Sequence, residues 1–380
     1  MSDTVLLDYC PKSLPSTCYL DDSWFKREQA TIWSREWIYI GRQNSFAHGM
    51  LHRKNIANCS IIICCNVHGQ LSAFHNVCMH RGAELCPGIS AKMRGKLITC
   101  PYHAWAYADD GRLVSTAFAT PTEDFDKSKH ELKPVHLKTW NGFLFACLAE
   151  TPPEFAPDLG LDALNNWPMS DLVVGHTVQK TMNCNWKVFW ENYNECLHCP
   201  GVHPELTKMV PVYSRGIMSK QEAATWDGDR EGRNLREGAQ SWTVSGMPCG
   251  PEFPNLTPEE RDEAHRFVTF YPTAFVVAHV DYARVVSLQP IDAESTLLTA
   301  EWLFDPKTLA QPNFDLAHVT DFATGVLEED ATACEWNQRG LRSPAFKQGR
   351  LMPQEFYIHD FHKWVLERVS KDGSLVPSLD

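Results

Sequence analysis

Short apolar runs broken by polar turns fill the first 150 residues, and longer helical periods take over afterwards. Phe25, Ile32, Trp33 and Trp37 fall near helical spacing, with Asp22 or Ser23 as a cap, so 21–38 is predicted to be a helix. The runs WIYIGR, SIIICCNV, LSAFHNV, KLITC and GFLFACL read as strands separated by Gly, Asn and charged turns. A Pro-rich stretch, AETPPEFAPDLG, reads as a connector. Beyond it, RFVTFYPTAFVVAHVDYARVVSLQPI and STLLTAEWLF read as sheet strands, and 315–338 and 354–368 as helices. The polar region 215–265 reads as a long loop or lid, of the kind that borders active sites. The class is α+β: an all-β domain (37–150), an α+β domain (151–380) and an N-terminal helical segment (1–36) packing on the latter.

The all-β domain carries candidate chemistry. Cys78 and His80 form C-x-H, and after nineteen residues Cys100 and His103 form C-x-x-H. Two thiolates and two imidazoles on two loops suit a Rieske [2Fe–2S] centre, with both sulfurs on one iron and both nitrogens on the other. Structural zinc is the rival, but its ligands come as paired Cys and paired His, whereas here each loop supplies one of each.

A second set follows in WENYNECLHCPGVHPEL. Glu195 and His198 are spaced to share a helix face, and Pro200 and Gly201 would break the helix so that His203 turns back toward them. Two histidines and one carboxylate form the facial triad of non-haem iron oxygenases. Asp330, in VLEEDATACEW, is the candidate carboxylate, with Glu328 and Glu329 as local competitors. By themselves, His198 and His203 would more often be polar loop residues. Beside a one-electron carrier they gain a purpose.

Composition narrows the partners. The net charge of −12 argues against nucleic acid. No apolar stretch approaches eighteen residues, so no membrane helix is expected, and the opening residues lack a signal-peptide pattern. A cytoplasmic setting follows as an expectation, with the twelve of the fourteen Cys outside the cluster pair read as reduced thiols and Cys64 and Cys65 as small buried strand residues. No dinucleotide fingerprint appears, which places NAD(P)H and flavin on a partner.

The two motifs together resemble the catalytic α subunit of Rieske non-haem iron ring-hydroxylating oxygenases, over nearly the whole chain and in the family's order. The resemblance implies a helix-grip catalytic domain, a homotrimer and a separate reductase carrying flavin and iron–sulfur. It assigns Cys78, His80, Cys100 and His103 to the cluster, His198, His203 and Asp330 to a mononuclear Fe(II) that uses O2, and Glu195 to an electron bridge between subunits. The Glu in ENYNECLHC is similar to the branch acting on glycine betaine, proline betaine and carnitine. That branch implies hydroxylation of an N-methyl group of a quaternary or tertiary amine with release of formaldehyde. Hydroxylation of an aromatic ring is the alternative, and a pure electron-transfer Rieske protein is the alternative of another class. Where respiratory Rieske proteins carry extra Cys, this chain has Ala83 and Tyr102, and Leu197 stands where an aromatic is frequent. A quaternary ammonium is held by aromatic faces at about 0.5 to 2 kcal/mol per contact. Candidates are Tyr193, Phe267, Phe270, Tyr271, Phe275 and Tyr282, although aromatics on such strands are more often plain core. Arg284 could serve a substrate carboxylate.

Overall fold

A computed structural model describes residues 6–218 and 235–380. Contacts divide the chain into two compact units: Trp33–Phe155, and a discontinuous unit that runs up to Ile32 and resumes over Ala156–Asp380.

The Trp33–Phe155 unit is built from strands β1 (Ile38–Arg42), β2 (Met50–Ile56), β3 (Cys59–Cys65), β4 (Leu71–His75), β5 (Ser90–Lys92), β6 (Ile98–Thr99), β7 (Ala106–Tyr107), β8 (Leu113–Ser115), β9 (His136–Trp140) and β10 (Phe143–Cys147). They pair antiparallel in three sheets, ordered β4-β3-β2-β5, β1-β10-β9 and β6-β7-β8. β3 is the apolar centre: Ile61 to Cys65 are all buried. Burial pushes the Cys64 thiol up to about 11, so it behaves as a small hydrophobe.

The discontinuous unit holds helices α1 (Thr17–Leu20), α2 (Asp22–Glu28), α3 (Trp186–Tyr193), α4 (Cys199–Val202), α5 (Pro204–Met209), α6 (Pro258–Glu263), α7 (Pro306–Leu309), α8 (Leu316–Leu341) and α9 (Phe356–Val369). Its strands are β11 (Val173–Met182), β12 (His265–Phe270), β13 (Ala274–His279), β14 (Ala283–Asp292) and β15 (Ser295–Phe304), in one antiparallel sheet ordered β11-β15-β14-β13-β12. β13 is buried along its whole length. α8 packs on β11 and α3, and α3 packs on β14 and α9, so helices grip one face of the sheet. A buried ion pair anchors α3. Glu28 accepts from Lys187 Nζ (2.6 Å) and from the indoles of Trp24 (2.7 Å) and Trp186 (2.8 Å), with both charged side chains fully enclosed.

Several elements differ from the sequence expectations. The helix expected over 21–38 ends early: α2 stops at Glu28 and a π-helical turn spans Gln29–Trp33. The apolar period runs on past it because Trp37 serves the other unit, where its indole donates to the Pro153 carbonyl (2.9 Å). Asp21, not Asp22 or Ser23, is the cap; its carboxylate accepts from Ser23 N. α8 extends three residues beyond Gln338, and Asp315 caps it. In the expected 215–265 loop, residues 219–234 lie outside the described residues, while α6 closes the stretch with a Thr257–Glu260 capping box. Among the described residues no helix is long and apolar enough to cross a membrane.

Candidate metal centres and active-site cavity

The cluster candidates sit on two loops with matching backbone bonds. Cys78 N donates to Ala83 O (2.8 Å) and Gly82 N to Cys78 O (3.0 Å); Cys100 N donates to Trp105 O (2.8 Å) and Ala104 N to Cys100 O (3.1 Å). Each loop needs a left-handed residue at its fifth position, Gly82 (φ 78°) in one and Ala104 (φ 57°) in the other. The thiols of Cys78 and Cys100 point into the core, each 2% exposed. Burial raises the Cys78 thiol and the neighbouring Cys100 adds to the rise, while hydrogen bonds from Tyr107 and the His80 backbone oppose it. The Tyr107 hydroxyl lies 3.2 Å from Cys78 Sγ and accepts from Met79 N (3.0 Å). His80 and His103 lie side by side with ring centroids 4.8 Å apart, and His80 stacks on Trp105. Sulfur inside and nitrogen outside is the sorting that a two-Cys, two-His [2Fe–2S] cluster requires.

The second set converges more tightly. His198 Nε2 and His203 Nε2 are 3.1 Å apart, and Asp330 Oδ1 lies 2.9 Å from the second and 3.5 Å from the first. Neighbouring ligands on one octahedral face, with bonds near 2.1 Å, are separated by roughly 3 Å, so the triangle fits a metal ion. The outer nitrogens are held too. Glu195 Oε1 accepts from His198 Nδ1 (2.6 Å), and Glu329 Oε2 accepts from His203 Nδ1 (2.8 Å), an arrangement that turns both Nε2 lone pairs toward the centre. Burial disfavours a charged His198, but hydrogen bonds to Asp330 and Glu195 outweigh it and push the imidazole up to about 9. Three carboxylates around two imidazoles call for a cation.

The local route to this geometry differs from the expected one. α3 ends at Tyr193, so Glu195 and His198 do not share a helix face. They meet on the turn into α4, where His198 N also donates to Glu195 Oε2 (3.2 Å). Pro200 does not break a helix; it occupies the first turn of α4, where a missing N–H costs nothing, and His203 caps α5. The carboxylate competitors have other partners: Glu328 pairs with Lys180, and Glu329 holds the back of His203. Cys196 and Cys199, expected to be free thiols, form a disulfide, because C-x-x-C on this turn brings their Cα atoms to 4.9 Å; the other twelve Cys are free.

A cavity of about 640 Å³ lies between the sheet and α3, α8 and α9, and His198, His203 and Asp330 form part of its wall. Tyr193, Phe267, Tyr271 and Phe275 also line it. Phe270 and Tyr282 do not. Phe270 alternates to the other face of β12, and Tyr282 is enclosed, its hydroxyl spent on the Trp242 carbonyl (2.6 Å). Sequence reasoning missed Trp242, Phe361 and Trp364, together with two acids, Asp158 and Asp360. Trp242 lies in a loop without periodicity, so no local pattern marked it. The α9 residues Asp360, Phe361 and Trp364 stand at helical spacing and could have been read as one lining face. Asp158 accepts from the backbone of Thr269 (2.9 Å) and Leu159 (2.8 Å), yet burial still raises its carboxyl above the usual range.

An all-β unit presenting two Cys and two His, and a helix-gripped sheet presenting two His and one Asp, together define a two-centre iron oxygenase. Residues 36–127 match the Rieske [2Fe-2S] domain, and residues 169–371 match the ring hydroxylating alpha subunit catalytic domain. The chain belongs to the Rieske ring-hydroxylating oxygenase α-subunit family, whose members use a Rieske cluster and a mononuclear iron. It is 31% identical to the glycine betaine monooxygenase oxygenase subunit of Chromohalobacter salexigens, over 97% of this chain and 88% of that one. The fold is also that of a quaternary ammonium Rieske monooxygenase whose structure addresses carnitine oxidation by gut microbiota (TM-score 0.69, 23% identity, 93% and 94% of the two chains). Naphthalene 1,2-dioxygenase from Rhodococcus sp. shares it as well (TM-score 0.68, 16% identity, 94% and 95%).

Proposed function

We propose that this chain is the oxygenase component of a monooxygenase that hydroxylates an N-methyl C–H of a quaternary or tertiary amine. Electrons come from NAD(P)H through a separate flavin and iron–sulfur reductase. Cys78, His80, Cys100 and His103 would hold the cluster, and His198, His203 and Asp330 would hold a ferrous ion, which would supply the activation of O2. Glu195 and Glu329 fix both imidazoles in the tautomer that presents Nε2. Glu195 is also the electron bridge: in a homotrimer, its carboxylate joins His198 to His103 of the partner subunit. In the cavity, Tyr193, Phe267, Tyr271 and Phe275 offer faces for the ammonium, supported by Asp158 and Asp360.

The overall step balances as R–N(CH3)3⁺ + O2 + 2 e⁻ + 2 H⁺ giving R–N(CH3)2CH2OH⁺ + H2O. The carbinolamine then loses formaldehyde and a proton to leave R–N(CH3)2. The observation that carries the oxygenase reading is the triangle of His198, His203 and Asp330 opening on an aromatic cavity. The amine is favoured by the likeness to the glycine betaine enzyme and by the two acids in the lining. An arene would also fit aromatic walls, and one assay separates the two: formaldehyde release coupled to oxygen uptake, with betaines, carnitine, choline and aromatic acids as substrates. Product from arenes alone would replace the amine reading.

A further inference from the structure

One wall of the cavity carries a cation without a carboxylate partner, its guanidinium 6.0 Å from the centroid of the Trp302 ring. Arg284 stands on β14, opposite Val277 on β13 and Trp302 on β15. It is 4% exposed, and it lines the cavity. Its Nε and Nη1 have no hydrogen-bond partner, and among the described residues no carboxylate oxygen lies within 4 Å of the guanidinium. The charge of Asp330 reaches it, but that carboxylate is committed to His198 and His203. A second buried donor on the same cavity, Trp242 Nε1, is also unpaired. A desolvated guanidinium without a counter-charge is costly unless a ligand supplies one. Neither of the two lining acids is among the charges that act on Arg284: Asp158 and Asp360 act on Tyr271, which packs on Trp364 with ring centroids 5.5 Å apart.

We infer that Arg284 is the carboxylate-binding residue of this cavity, and that it selects a trimethylammonium carboxylate over the matching amino alcohol. This rests on the amine reading above and selects within it. A guanidinium takes a carboxylate through two parallel N–H bonds, which fixes one end of the molecule while the ammonium meets the aromatic faces of the lining.

The test is calorimetric titration of the anaerobic holoenzyme with trimethylglycine and with choline, the matching alcohol, alongside thermal unfolding. Wild type binds trimethylglycine more tightly and is stabilised by it. Arg284→Met weakens trimethylglycine by about 50-fold, leaves choline within about threefold, and unfolds no earlier than wild type without ligand, because an uncompensated buried charge has gone. Arg284→Lys keeps charge and fold and loses the fork, so it weakens trimethylglycine by an intermediate factor and spares choline. Equal losses for both ligands, or no loss for either, would overturn the inference. A wild-type enzyme that demethylates both ligands with equal affinity also overturns it while the demethylase reading stands. Turnover of arenes alone removes the demethylase reading itself.

Discussion

The two metal regions are built on opposite plans. In the Trp33–Phe155 unit the ligands come from two short loops, each closed by its own backbone bonds, with thiols buried and His80 exposed at the edge. In the discontinuous unit the donors are 127 residues apart in chain, His203 is 1% exposed, and a second layer of carboxylates holds both imidazoles. An electron carrier works through an exposed edge. An oxygen-activating site needs fixed ligands, so it draws on three strands of the sheet and three helices.

If the regions are independent as well as different, Asp330→Ala should empty one and spare the other. Turnover falls to background and about one iron per chain is lost, while the visible cluster spectrum stays. Iron analysis and absorption check this, and a bleached cluster would break the contrast. Next in size, Glu195→Gln should keep both centres loaded yet slow steady turnover on the order of 100-fold, the upper range for a residue behind a metal ligand. Unchanged single-turnover rates with pre-reduced cluster would remove the bridge role.

Acid should separate the regions too. His265 is held down to about 4 and His279 well below its ordinary value, both by burial in the β12–β13 pairing. Their folded-state values lie below the unfolded one, so the unfolded chain takes protons first. Stability is then full above pH 6.5 and is lost as pH falls toward 4, by up to about 3 kcal/mol for His265. Calorimetric melts across that range should show the catalytic unit weakening. The smallest effect belongs to the cluster. Tyr107→Phe removes a hydrogen bond to Cys78 Sγ and should lower the cluster potential by about 60 mV, the equivalent of about 1.4 kcal/mol for one electron. Redox titration followed by EPR reads it.

The cluster loops were legible because their ligands lie within a few residues of their own backbone bonds. The strand alternation in HRFVTF was legible as well, and applied strictly it sets Phe267 and Thr269 on one face and Phe270 on the other. Tyr282 was not separable by pattern, since only its bond to the Trp242 carbonyl shows where its hydroxyl is used. Glu329 was weighed as a competitor to Asp330, and its place behind His203 depends on how α8 packs against α4.

From the chain alone came the donor types and their spacing, the alternation of strands, the order of the two units and the oxygenase chemistry they imply. Which carboxylate meets both imidazoles, which aromatics face the cavity and which cation is left without a counter-charge were decided by tertiary structure. Local spacing specifies what neighbours along the chain can do together. Groups more than a hundred residues apart meet only where packing of the sheet against its helices brings them, and that packing is a property of the whole fold.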